Sequence, residues 1–322
     1  MDHKIFDLDV PLKTCTPQLL ARILDAGYQC IALTQSVTID DFNFTLTTET
    51  NTTRKKTKEE RQSMRNKLAD QLKPPSSETL NNLLTDSHQY RATLWPPSVF
   101  CPPRLFKRLN LVCSEPSLAG LFFREFGETL NRFDIVSMCP SSSEALVFAY
   151  EQPGTFDLIT IDLDSQIDFR LSSKQYSLIQ TRGLRLEFKL GPLLRPGSSG
   201  TTARSNLAFH FSSMFAGCRS SFSKCIVISS GATVGWEVRR PLAVVSILQS
   251  LGLQPKELAH HALTSGPCAV LTHGLNRSRT AHGAAVMLKL LSNPSVVSIG
   301  EAQDASEACE SPPPKKSCTR ED

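Results

Sequence analysis

The chain has 322 residues, 40% hydrophobic and 20% charged, the ordinary balance of a soluble globular protein with enough apolar material for a sizeable core. Its start, MDHKIFDLDV, carries charges where a secretory signal needs an apolar segment, and no uncharged apolar run reaches membrane-spanning length, so a soluble intracellular protein without a membrane partner is expected. The net charge of +4 is concentrated: residues 54–67 alone hold seven Lys/Arg against two Asp/Glu, +5, leaving the remainder near neutral.

In chain order, KIFDLDV (4–10) reads as a strand, TPQLLARILDAGY (16–28) as a helix stopping near Gly27, and CIALTQSV (30–37) as the next strand, together a βαβ unit. Residues 41–103 then break the alternation with a polar, basic, Pro-rich insertion ending in WPPSVFCPPR, whose prolines resist both helix and central strand. The alternation resumes with a strand at 106–114, a helix at 117–133, a strand at 134–140, a helix at 142–152 with Ser142 as N-cap, and a strand at 157–164. An irregular connection leads to a strand at 183–194, then a helix at 205–222, a strand at 224–232, helices at 240–253 and 256–265, a strand AVLTHG at 269–274, and a last helix at 278–291. The polar end, 296–322, contains PPPKK and is expected to be disordered.

About eight short, continuously apolar strands alternating with helices predict an α/β fold with a parallel sheet, either a closed (β/α) barrel or an open doubly wound sheet. One domain would comprise 1–40 and 104–295. No GxGxxG or Walker loop points to a nucleotide. The ten cysteines include no C-x-x-C pair and read as reduced, buried hydrophobes rather than disulfides or a zinc site.

Chemistry on a barrel gathers at the C-terminal ends of its strands. The polar residues expected there are Asp7, Asp9, Thr34, Gln35, Asp162, Asp164, Glu187, Ser229, Ser230 and His273. Asp7 and Asp9, two apart on a strand, should share a face. They are either structural carboxylates satisfied by backbone N–H groups or an arginine, or, with Glu187 and His273, the site of a metal-dependent phosphoesterase. Arg239 and Arg240 in GWEVRRPL, and Arg277 and Arg279 in HGLNRSRTAHG, stand in expected loops leading into helices. There they would either grip phosphates or pair with barrel carboxylates such as Asp7 or Asp9. Lys55 and Lys56 belong to the basic run, which reads either as a contact for phosphates or another acidic partner or as a solvated, flexible insertion. A third possibility is a protein-only adaptor.

The segments FDLDV, GYQCIALTQSV, DIVSMCP, FDLITIDL, RGLRLEFKLGPLL, ARSNLAFHF, KCIVISSGA, VRRPLAVVSILQSLGL, ALTSGPCAVLTHG and RTAHG together resemble the thirty-kilodalton protein subunit family of nuclear ribonuclease P and ribonuclease MRP. The resemblance implies a TIM-barrel-like fold related to metal-dependent phosphoesterases, with Asp7 and Asp9 where those enzymes carry a metal-binding His-x-His. It further implies a non-catalytic subunit with no cofactor of its own. Magnesium belongs to the catalytic RNA, and the complex acts in removing the 5′ leader of precursor tRNA and in ribosomal RNA processing. The implied partners are the ribonuclease P and MRP RNAs, precursor tRNA, a small ferredoxin-like protein subunit and other ribonuclease P proteins, in the nucleus and nucleolus.

Overall fold

In a computed structural model of the protein, the described residues are 4–40, 66–94, 102–152, 155–164, 171–217, 224–253 and 256–279. All of them fall within one compact unit, Met1–Met287. Seven parallel strands run in chain order around the sheet: β1 (Phe6–Pro11), β2 (Cys30–Thr38), β3 (Arg104–Cys113), β4 (Ile135–Pro140), β5 (Leu158–Ile161), β6 (Leu186–Lys189) and β7 (Ile226–Ser229). The helices are α1 (Pro17–Ala26), α2 (Ser77–Leu94), α3 (Pro116–Leu130), α4 (Ser143–Glu151), α5 (Ser173–Thr181), the single turn α6 (Gly191–Leu194), α7 (Gly197–Gly217), α8 (Pro241–Ser250), α9 (Lys256–His261) and α10 (Ser265–Arg279). The result is a nearly closed TIM-barrel-like α/β fold. At the seam between β1 and β7 no ladder forms, and the edges are tied instead by the Gly231 amide donating to the Asp9 carbonyl (2.9 Å).

Local chemistry explains most of the boundaries. Thr16 caps α1 by accepting from the Leu19 amide, and Gly27 ends it at φ 106°, a conformation that costs a glycine little. Ser142 caps α4 in the same way through the Ala145 amide. The connection at 165–182, expected to be irregular, contains α5, nucleated by a reciprocal capping box between Ser172 and Gln175. The polar stretch after β2 is helical over 66–71 and again in α2, which packs on α1 and is pinned there by Arg91 to Asp25 at 2.7 Å.

The strand expected at 269–274 is instead part of α10, so seven strands rather than eight form among the described residues. A short apolar run is ambiguous between strand and helix, and tertiary packing decided it. Val270 and Leu271 of α10 join Phe6, Leu8, Cys30, Ala32, Ile135, Leu158 and Val227 in an apolar cluster at the N-terminal end of the barrel. Gly274 lets α10 lie this close, since a Cβ there would stand 2.0 Å from the Asp134 carbonyl. The helix expected at 278–291 lies, beyond Arg279, outside the described residues, as do the basic segment 54–65 and the tail.

Candidate functional site

The barrel interior holds a layer of charge above that apolar floor. Arg108, on the inward face of β3, is fully buried. Its guanidinium donates to both carboxylate oxygens of Glu187 on β6 (2.6 and 2.5 Å), to the Leu8 carbonyl (2.6 Å), to Thr160 Oγ1 on β5 (2.8 Å) and to Ser137 Oγ on β4 (3.1 Å). Glu187 also accepts from Thr160 (2.8 Å) and Ser229 (2.5 Å). One arginine thereby links five strands, and both charges have the partners that burial demands. Two residues beyond Glu187 toward the mouth, Lys189 at the end of β6 puts its ammonium 2.7 Å from Asp9, which also lies 3.9 Å from Arg108. Burial alone would raise the Asp9 carboxyl, but Lys189 and Arg108 outweigh it and hold it below the ordinary carboxylate value. Burial pulls Lys189 down, and Asp9 with Glu187 more than offsets this.

Asp7 and Asp9 do not form the pair that period-two spacing predicts. The register advances three residues on β1, from Asp7 to Val10, against two on β2, from Ile31 to Leu33. That extra residue is a β-bulge, and it sends the two side chains to different places. Asp9 meets the internal cations. Asp7 turns to the β1–β7 seam, where its Oδ1 accepts from the Ser230 amide (2.8 Å) and more weakly from the Asp9 amide (3.4 Å). Burial pushes the Asp7 carboxyl up to about 7 against those hydrogen bonds.

This arrangement does not suit metal-assisted hydrolysis. Lys189 and Arg108 occupy the position beside Asp9 that a divalent ion would need, and no cluster of three His, Cys, Asp or Glu suited to a metal occurs among the described residues. His273 is not with Asp7, Asp9 and Glu187 at all. It sits on α10 at the opposite end of the barrel, its Nδ1 2.7 Å from Asp157. Back at the C-terminal end, the thiol of Cys139 on β4, within reach of the Lys189 and Asp9 charges, is pushed up to about 12 by burial and is a poor nucleophile.

The arginines expected to face RNA separate. Arg277 is inside: its side chain is 6% exposed, pairs with Asp157 and donates to the carbonyls of Leu130 and Phe133. The expectation that it stands on an open loop is thereby corrected, because the segment is a helix and the guanidinium clasps the turn before β4. Arg240 is exposed at the start of α8, and half-buried Arg239 donates to the Trp236 carbonyl (2.7 Å). Beside them Val234, Trp236 and Leu242 are exposed, Trp236 by 51% and Leu242 by 66%. Arg279 ends α10, and Lys55 and Lys56 lie outside the described residues. At the C-terminal mouth Arg195 ties Asp164, after β5, to buried Glu237, after β7 (3.2 and 2.9 Å). Sequence reading missed Arg108, Lys189 and Arg195. A signal was present for the first two: charged residues inside apolar strands, in FKRLNLVC and LEFK.

The comparisons agree with this picture. One solved chain, from a cryo-EM structure of archaeal ribonuclease P with mature tRNA, superposes at a TM-score of 0.52 with 9% identity, covering 89% of this chain and 97% of that one; it speaks to the fold. The Saccharomyces cerevisiae ribonuclease P/MRP protein subunit RPP1 is 29% identical over 177 residues, 55% of this chain and 56% of the yeast protein. The Arabidopsis thaliana protein GAMETOPHYTE DEFECTIVE 1 is 28% identical over 180 residues, 56% of this chain and 29% of the plant protein. The chain thus aligns with only about half of one curated relative and under a third of the other. The RNase P subunit p30 family matches across residues 4–279, nearly all of the barrel, and the chain belongs to that family.

Proposed function

We propose that this chain is a non-catalytic protein subunit of ribonuclease P and ribonuclease MRP, which holds the catalytic RNA and partner proteins in place. The observation that carries the reading is the buried charge layer: Arg108 is hydrogen-bonded to both oxygens of Glu187 and Lys189 is ion-paired with Asp9, so the carboxylates that a related phosphoesterase would use are engaged by internal cations. Family membership and the yeast relative's designation supply the complex. In this role the RNA performs the cleavage that removes the 5′ leader of precursor tRNA and, as ribonuclease MRP, processes ribosomal RNA. Magnesium is bound by that RNA, and this chain needs no cofactor. Its partners are the two RNAs, precursor tRNA, a small ferredoxin-like subunit and other ribonuclease P proteins, in the nucleus and nucleolus. Arg239 and Arg240, with Lys55, Lys56 and Arg279, contact phosphates.

The test is recovery of the tagged chain from cells, followed by precursor tRNA cleavage before and after micrococcal nuclease. Activity that vanishes with the nuclease supports the reading. Activity that survives it, or the absence of both RNA and activity from the recovered material, overturns it.

A further inference from the structure

The two ends of the barrel differ in charge, and the excess positive charge lies at the end that barrel chemistry usually leaves unused. The residues that lead into the strands place cations around the N-terminal rim: Lys4 before β1, Arg104 at the start of β3, Arg132 before β4, Arg182 and Arg185 before β6, and Lys224 before β7. These six come from five strands, yet parallel topology brings all the lead-ins to one end. Arg104, Arg132 and Lys224 are exposed, and Lys4, Arg182 and Arg185 are half-buried.

The rim is continuous across α10. Arg277 of that helix bonds to Leu130 and Phe133, on either side of Arg132, while its His273 ring lies against Gly183, between Arg182 and Arg185. Arg185 and Lys224 together act on His261, which burial and these two cations hold below the ordinary histidine value. No ion pair engages any of the six cations among the described residues. Arg182 donates to the Tyr150 carbonyl and Arg185 to its own loop's carbonyls, leaving the buried Arg185 Nε without a partner. The carboxylates at this end do little to neutralise them. Asp157 is taken by Arg277 and His273, and Asp25 by Arg91. Asp134 accepts from the Lys107 amide, and Glu128 and Glu151 stand at the outer ends of α3 and α4. The C-terminal mouth is different: there Lys189 and Arg195 are each paired with carboxylates.

We propose that this N-terminal rim, centred on Arg104, Arg132, Arg185 and Lys224, is a phosphate-backbone-binding surface that seats the chain on structured RNA. The proposal rests on the ribonucleoprotein reading and adds the face by which the protein meets RNA. An arc of cations around a barrel mouth, with guanidinium donors unspent, matches a run of phosphates better than a single anion. It reads shape and charge rather than base sequence.

The test compares full-length wild type with the triple variant Arg104→Gln, Arg132→Gln, Lys224→Gln, binding a transcript of the ribonuclease P RNA across a salt series. Because these side chains are exposed, the thermal midpoint should not move. Each lost phosphate contact lowers the slope of log affinity against log salt by about 0.9, so three lower it by about 2.7. The fall in affinity between 50 and 200 mM salt then becomes about 40-fold smaller than in wild type. An unchanged slope in a folded variant, with wild type binding RNA, overturns the rim and leaves the subunit reading intact. So does a variant that binds RNA normally but loses protein partners, which would make the rim a seat for an acidic protein. Wild type that neither binds this RNA at low salt nor brings RNA from cells overturns the subunit reading itself. Should the triple variant fail to fold, acylation of wild-type Lys4 and Lys224 decides the matter. Protection by RNA supports the rim, and equal labelling with and without RNA refutes it.

Discussion

Replacing Arg108 by Met removes the cation that holds the barrel interior together. In the native protein that side chain satisfies Glu187 through two short hydrogen bonds and also bonds to Leu8, Thr160 and Ser137. Without it, Glu187 keeps only the hydroxyls of Thr160 and Ser229, and Asp9 keeps Lys189. Removing one partner of a fully buried ion pair costs about 3–5 kcal/mol, because the remaining charge is left uncompensated in a low-dielectric interior. For a barrel of this size each kcal/mol is worth about 2–4 °C, so the midpoint should fall by about 6–20 °C. Replacing Glu187 by Leu as well removes the stranded charge, and the double variant should be less destabilised than the two single variants summed. The assay is a double-mutant cycle by chemical denaturation, with RNA affinity measured on the folded fraction. A loss below about 1 kcal/mol in Arg108→Met, or strict additivity in the cycle, would refute the reasoning. A collapse of RNA affinity in a still-folded Arg108→Met protein would refute the purely structural role of the pair.

Asp7 keeps its proton to about pH 7 in the folded chain but loses it near pH 4 when unfolded, so its contribution favours folding below pH 4 and is lost as pH rises to 7. Asp7→Asn should therefore gain stability over wild type across that window, reaching on the order of 4 kcal/mol above pH 7, and a pH-independent difference in denaturation midpoint would contradict this. His210, held near 4 by burial, works in the opposite direction: its contribution weakens as pH falls from about 6.5 toward 4, and a His210→Phe variant should show a flatter stability curve there. Arg277→Ala should cost about 3 kcal/mol or more by stranding Asp157, yet leave the salt slope of RNA binding unchanged in the folded protein, whereas Arg240→Glu should do the reverse. Gly274→Ala should displace α10 from the backbone at Asp134 and lower the thermal midpoint, while the same change in a helix with open space beside it would not.

Much of the architecture was legible in the chain. The alternation of apolar runs and helical periodicities identified the seven strands and their parallel arrangement, because strands buried on both faces are predominantly apolar. Ser142 and Gly27 marked helix boundaries, since such residues satisfy or free backbone groups within a few residues of themselves. What only tertiary structure decided are the features that depend on contacts between distant residues. Period-two spacing placed Asp7 and Asp9 together, and a single bulge against β2 parted them. AVLTHG became a helix because the open floor of the barrel needed an apolar cover that a helix could bring to Phe6, Leu8 and Leu158 at once. Arg277 looked like Arg240 in sequence, but burial beside Asp157 made one a clasp and left the other facing solvent. Arg108 and Glu187 stand 79 residues apart and gave no local sign of each other. The cations of the N-terminal rim are likewise scattered singly from Lys4 to Lys224, and they become one surface only because parallel strands all begin at the same end.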